Sequence, residues 1–277
     1  MLADAPSASV HQRAHGRAEL VLDPAFDGAR PKHLFQSAPL RFLFPEADPG
    51  DPTLGALVNV AGGLAGGDRL EVALTLEPAA RFTATTPAAE KVYRSLGPAT
   101  EIACSIAVAE GATCEWLPQE TILFDGSRLA RCLEISLASG ARLLAAEMLV
   151  LGRAARGERF TRGGLHDRWR IRRDGRLIWA DALRLPEPPS EVLDDRFGLA
   201  GAGALATLLL AAPDATAFRE RARDLAAGGA SLVVPGLLVA RWMGEASAVR
   251  AALGDAIAAL RADAFGHPAR LPRLWRT

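Results

Sequence analysis

Three segments of this chain repeat one design. LTLEPAARFTA (74–84), IAVAEGATCEW (106–116) and ISLASGARLLA (135–145) each give an apolar strand, a two-residue turn, an alanine and a second strand. The aligned alanines are Ala80, Ala112 and Ala141, spaced by 32 and 29 residues. A unit of two paired strands cannot bury its apolar face alone, so a period of this length predicts stacking on neighbouring copies. The expected fold is mainly β, layered or helix-like (solenoid-like), with antiparallel or mixed pairing. A plain antiparallel meander would give similar turns.

Period-two alternation bounded by Gly, Pro and Asp extends this reading from about residue 17 to 185. It predicts strands at Arg17–Leu22, Leu40–Phe44, Arg69–Leu76, Ile102–Val108, Leu133–Leu137, Arg142–Leu151, Trp169–Arg173 and Leu177–Leu185. Residues 1–16 are small and polar and read as a tail. The apolar run Phe197–Ala212 is too short to span a bilayer and reads as a buried strand or helix. Near the end the period changes. Asp214–Ala227 and Ser247–Phe265 have helical spacing, the latter with Val249, Leu253, Ile257 and Leu260 on one stripe and Gly266 as its stop. Between them Ser231–Trp242 returns to strand around Pro235-Gly236. The organisation is one domain over 1–277: mostly β to residue 212, then two α-helices flanking a strand over 213–266. No crossover helices separate the strands, which disfavours a parallel α/β sheet.

Bulk properties exclude several classes. Lys+Arg and Asp+Glu are 32 each, so no net charge draws the chain to nucleic acid or an anionic membrane. A net charge near zero favours association, and a chain that works in a complex is expected. Cys104, Cys114 and Cys132 are odd in number without C-x-x-C spacing, which fits reduced thiols in a cytoplasmic protein. The N-terminus has no apolar signal core.

The densest local signal is VNVAGGLAGGDRL (58–70). Two glycine pairs, Gly62-Gly63 and Gly66-Gly67, precede Asp68 and Arg69. The spacing fits neither G-x-G-x-x-G nor a P-loop, and an acid after the last glycine repels phosphate. A tight turn between strands is expected, holding Asp68 and Arg69 at the mouth or wall of a polar interior. Thr85 and Thr86 then lead into a polar cluster of Glu90, Lys91, Tyr93 and Arg94, which is either functional or a self-satisfied hydrogen-bond network. Trp116, Leu117, Pro118 and Phe124 read as core or interface anchors.

Catalytic chemistry is hard to find. His11 and His15 sit in the tail segment without a third ligand, and His33, His166 and His267 stand alone. No H-E-x-x-H or G-x-S-x-G motif is present. Nine arginines from Arg153 to Arg176 face only Glu158, Asp167 and Asp174, which predicts a solvated or protein-binding β face. The acids among apolar neighbours are more informative. Glu147 shares a strand face with Leu143, Ala145, Leu149 and Leu151, and the opposite face is as apolar. Asp181 shares its side with Leu177, Trp179, Leu183 and Leu185. A carboxylate so placed needs an arginine, a proton or a cation. Two readings follow: a buried ion pair, or a polar path in which Asp68, Glu147 and Asp181 are way-stations for a cation.

Five ordered motifs resemble the UreD (UreH) family of urease accessory proteins: AGGLAGGDRL (61–70), TTPAAEKVYRS (85–95), EWLPQETILFDGS (115–127), LGRAARGERF (151–160) and LPRLWR (271–276). The departure is small: Val60-Ala61 stands where the family often has proline-glycine. The resemblance implies a non-enzymatic scaffold of urease maturation, mostly β with two α-helices. It implies binding to urease apoprotein and UreF, recruitment of the GTPase UreG through UreF, and transient nickel with no tightly bound cofactor. Two other classes stay open from the residues alone: a β-scaffold lyase or hydrolase using Asp68, Glu147 and Asp181, and a purely structural β protein.

Overall fold

The computed structural model describes residues 13–28 and 30–276. Most of the expected tail, with His11, lies outside them. Strand β1 (His15–Leu22) pairs antiparallel with β2 (His33–Gln36), and β3 (Leu40–Leu43) pairs antiparallel with β4 (Thr53–Asn59) in a second sheet. Three coils follow. β5 (Arg69–Leu76) turns into β6 (Arg81–Thr85), continued by β7 (Glu90–Val92). β8 (Thr100–Val108) turns into β9 (Thr113–Leu117), continued by β10 (Thr121–Leu123). β11 (Arg128–Leu137) turns into the uninterrupted β12 (Arg142–Leu151). Next, β13 (Gly164–Arg173) and β14 (Arg176–Leu185) form a hairpin at the edge of the first sheet. The second sheet is extended antiparallel by β15 (Ala204–Ala211), β17 (Leu237–Gly244) and, outermost, β16 (Ala230–Val234).

The solenoid expectation rested on the repeat, and the repeat is the winding. The first sheet runs β14-β13-β11-β8-β5-β1-β2 and the second β16-β17-β15-β12-β9-β6-β4-β3. Pairing is mixed: parallel between successive coils, antiparallel at both ends. Parallel neighbours need no crossover helix because each strand returns through the opposite sheet. At every corner the aligned alanine closes a turn, with Ala80, Ala112 and Ala141 each donating to the carbonyl three residues back at 3.1 Å. All three alanines are buried, and Ala80 and Ala112 accept from the first residue of the next coil's second-sheet strand.

The core has three parts. One apolar cluster fills the space between the sheets, with Leu74, Phe82, Ile106, Trp116, Leu133 and Trp169 among its members. A second joins the outer face of the second sheet to the C-terminal helices. A third gathers Val92, Leu123, Leu149, Leu165 and Leu185 near the return loops. Strand β12 is therefore buried on both faces, which is why its sequence is an almost unbroken apolar run.

Among the described residues there are three α-helices. α1 (Ser190–Asp194) is a single turn that periodicity did not reveal. The expected helix over 214–227 forms only as a 3-10 turn, Ala215–Phe218, and α2 (Arg219–Leu225), whose one buried residue is Ala222. α3 (Ala246–Phe265) matches its sequence pattern: Val249, Leu253, Ile257 and Leu260 are buried, and Gly266 ends it in left-handed conformation. No helix among the described residues is long and apolar enough to cross a membrane.

Candidate functional site

Alternation along three strands puts one polar layer between two apolar clusters. On β12 the inward residues are Leu143, Ala145, Glu147, Leu149 and Leu151. On β11 they are Leu129, Arg131, Leu133 and Ile135, and on β13 Leu165, Asp167, Trp169 and Ile171. Register aligns the polar members: Arg131 stands opposite Asp167 within the first sheet, and Glu147, Thr207 and Arg241 form one row of the second. Glu147 is thus a buried carboxylate, as its neighbours on the strand predict, and its cation is Arg131.

The contacts within this layer are unequal. Arg131 grips Asp167 with a fork, Nε to Oδ1 at 2.9 Å and Nη2 to Oδ2 at 2.6 Å. The same Nη2 lies 2.9 Å from Glu147 Oε2, yet no donor is aligned on that oxygen. Glu147 Oε1 receives only a long hydrogen bond, 3.4 Å, from Trp116 Nε1. One guanidinium faces two carboxylates, and burial dominates: it pushes Glu147 up to about 7, Arg131 pulls the other way, and Asp167 adds to the rise. Cys104 and Cys114 are free and buried, and burial raises both thiols.

Two cavities meet on Arg131 and Glu147. The larger, about 460 Å³, is lined also by Asp167, Asp181, Thr207 and Arg241 and opens where the two sheets end. The smaller, about 80 Å³, runs past Trp116 and Thr121 to Asn59, Thr86 and Glu90 at the return loops. Asp181 is not buried as its apolar neighbours suggested. β14 is an edge strand, and the Asp181 side chain keeps 33% exposure while bonding Arg241 across the open end at 2.6 Å. Among the described residues no group of three or more His, Cys, Asp or Glu side chains is placed to hold a metal ion.

Asp68 belongs to neither cavity. It accepts from the backbone N–H groups of Ala14 (2.8 Å) and Ala65 (2.7 Å), tying the glycine loop to the start of β1. Arg69 points to solvent and pairs with Glu71 and Glu101 on the outer face. The expected placement of both at a polar interior is therefore corrected: Asp68 is spent on the loop's own geometry and Arg69 on ion pairs at the surface. Its glycines make room for the neighbouring motif. A Cβ on Gly63, at φ +150°, would lie 2.6 Å from the Tyr93 ring, and one on Gly66 2.1 Å from Ser95 Oγ. Gly62 O accepts from the Tyr93 hydroxyl at 2.9 Å, and Gly67 donates to Ala99 O.

The polar cluster after the two threonines is largely self-satisfied. Thr85 Oγ1 donates to Leu117 O, Thr86 Oγ1 accepts from Gln119 N, and Glu90 accepts from Asn59 Nδ2 and Lys91 N. Burial raises the Glu90 carboxyl against those hydrogen bonds. Lys91 and Arg94 are exposed. Trp116 and Leu117 are core; Phe124 is half-buried beneath the Arg153 guanidinium, 4.3 Å from its ring centroid.

The five motifs adjoin one another along the return-loop edge. Gly63 meets Tyr93, Thr86 meets Gln119, and Asp125 N donates to Glu158 Oε1 at 3.2 Å. The C-terminal motif closes the set: Trp275 Nε1 donates to Leu117 O and Leu274 O accepts from Gln119 Nε2. Beside it is a second buried ion network. Glu115, on the outer face of β9, accepts from Thr83, Arg261 and the His267 ring, and together they hold its carboxyl low despite full burial. Arg261 also binds Asp51 at 2.9 Å.

Arg131, Asp167 and Glu115 are the residues that sequence reasoning missed. The first two carried the same signal as Glu147, a charge in an apolar alternation. Glu115 had none, because α3 and the C-terminal segment bury it. The arginines Arg168, Arg170 and Arg172 alternate on the outer face of β13, as a solvated or binding face requires.

With this geometry in hand, similarity to known proteins is informative. A family model described as UreD urease accessory protein matches residues 14–276. A urease accessory protein UreD of Granulibacter bethesdensis is 52% identical over 237 residues, covering 84% of this chain and 99% of the relative. One of Magnetococcus marinus is 44% identical over 257 residues, with 89% of each chain covered. Urease accessory protein UreD 1 of Methylobacterium radiotolerans is 46% identical across 100% of this chain and 99% of its own length.

Proposed function

This chain belongs to the UreD family of urease accessory proteins, and from that premise we propose that it is a non-catalytic scaffold through whose polar layer nickel crosses on its way to urease. In this reading the chain binds urease apoprotein and UreF in the cytoplasm, UreF brings the GTPase UreG, and nickel is cargo. The single observation that carries it is that two cavities share the Arg131–Glu147 pair in their walls and extend from it in different directions, one to Asp181 and Arg241 and the other to Asn59 and Glu90. A single carboxylate is a borderline, exchangeable ligand for nickel, so Glu147 suits passage better than storage. Asp181, at the open end, would receive or release the ion at the mouth; Glu90, half-buried by Asn59, would do so at the loop edge. Asp68 holds the loop in place and takes no part in transfer.

One observation favours a second reading, a carboxylate-dependent hydrolase or lyase: a carboxyl poised near neutrality in a cleft suits general acid–base work. One experiment separates the two. Urease is co-expressed with UreF, UreG and either this chain or its Glu147→Gln variant, and nickel content and ureolysis are measured. The expected result is low nickel in urease with the complex still assembled. Equal nickel with the variant rules out passage at Glu147, and polysaccharide turnover by the isolated chain supports the enzyme.

A further inference from the structure

The polar layer holds a cation of its own between its two buried carboxylates. Where the two cavities meet, the space between Asp167 and Glu147 is occupied by Arg131 Nη2, 2.6 Å from one carboxylate and 2.9 Å from the other. Hard cations take oxygen ligands at roughly 2.0–2.6 Å. A divalent ion placed where Nη2 stands would find the Asp167 carboxylate at the edge of that range and the Glu147 carboxylate about 0.3 Å beyond it, a small shift from chelation by both, with the Thr121 hydroxyl near the adjacent nitrogen. Such a pair in a desolvated layer would chelate the ion and hold it, whereas passage demands a site that is entered and left.

Resting on the passage reading above, we propose that Arg131 is the resident counter-cation that keeps this layer a passage rather than a trap. Its fork neutralises Asp167 lastingly, and its unaligned contact with Glu147 is the one that an arriving ion can replace. The asymmetry is visible in the bonds. Asp167 has two directed hydrogen bonds from the guanidinium, while Glu147 Oε2 is buried without an aligned donor. An ion that displaces Arg131 from Glu147 meets one carboxylate and the repulsion of a guanidinium it cannot expel. That combination weakens binding enough for release. Arg241 does the same for Asp181 at the open end, where the pair is half-exposed and screened.

The test removes the guanidinium and asks whether metal takes its place. The full chain and its Arg131→Met variant are titrated with nickel chloride, then desalted and assayed for retained metal and for urea stability. The expected result is retention of about one nickel per variant chain with affinity raised about tenfold or more. Nickel-dependent stabilisation, absent from the unsubstituted chain, should accompany it. Arg131→Met/Asp167→Asn, which leaves a single carboxylate, should lose the retention. If Arg131→Met folds and holds no more nickel than the parent, the proposal is overturned. If it folds poorly, nickel must restore it, and a variant that nickel does not restore overturns the proposal equally. The passage reading has its own test: unchanged urease loading with Glu147→Gln defeats that reading, while lowered loading with no trapping by Arg131→Met defeats only the role given to Arg131.

Discussion

Replacing Glu147 by glutamine should make the chain progressively more stable than its parent as pH rises. The carboxyl is raised from 4.5 to about 7, first by burial, then against the pull of Arg131 and with a further push from Asp167. Below pH 4.5 the folded and unfolded states both hold the proton, and the pair of proteins differs by a constant. Between 4.5 and about 7 only the folded state keeps it, so the parent loses stability as pH rises, by about 1.4 kcal/mol per pH unit. Across the window the parent falls behind the amide variant by about 3 kcal/mol, and above it the difference is flat. Groups with depressed values, Asp125 at about 2 and Glu115, contribute equally to both proteins and cancel in the difference. The assay is urea unfolding of both proteins from pH 4.5 to 8.5, comparing free energies at each pH. A flat difference through the window, or one of opposite slope, would mean that Arg131 holds Glu147 fully ionised and that burial does not dominate this layer.

Other outcomes follow from the same contacts. Asp68→Ala strands two backbone N–H groups and should cost about 2 kcal/mol in urea unfolding. At temperatures where the fold holds, it should leave urease nickel loading unchanged. Arg261→Met leaves Asp51 without its buried partner and Glu115 with only His267 and Thr83. A loss of about 3–5 kcal/mol is expected, with proteolysis first at the C-terminal segment, as breaking a buried ion pair predicts.

How far the sequence could be read varied by element. Strand β5 and strand β12 were legible to the residue because alternation or unbroken apolarity records burial directly. The short β7 and β10 were not, since three residues carry too little pattern and their place is set by pairing with each other. The helix expected over 214–227 divides into a 3-10 turn and α2, although Ala215, Ala222 and Ala226 are all buried, because spacing does not record where the hydrogen-bond pattern changes. In the candidate site, Glu147 was legible from its apolar neighbours, while Asp181 misled by the same rule. Alternation says which face a side chain takes, and only the sheet order says whether that face is closed.

The sequence by itself determined the repeating unit of two strands and pointed to its winding, which the parallel stacking then distinguished from a meander. Three alanine-cornered turns about 30 residues apart leave faces that only stacking can bury, and the order of the five motifs determined the family. The tertiary structure decided what each charge does. Register brought Arg131, Asp167 and Glu147 together from three strands, and it turned Asp68 into a clamp on its own loop. The physical reason is distance along the chain. Local pattern fixes which side of a strand is apolar, but the partner of a buried carboxylate comes from elsewhere in the sequence, and only the stacked sheets choose it.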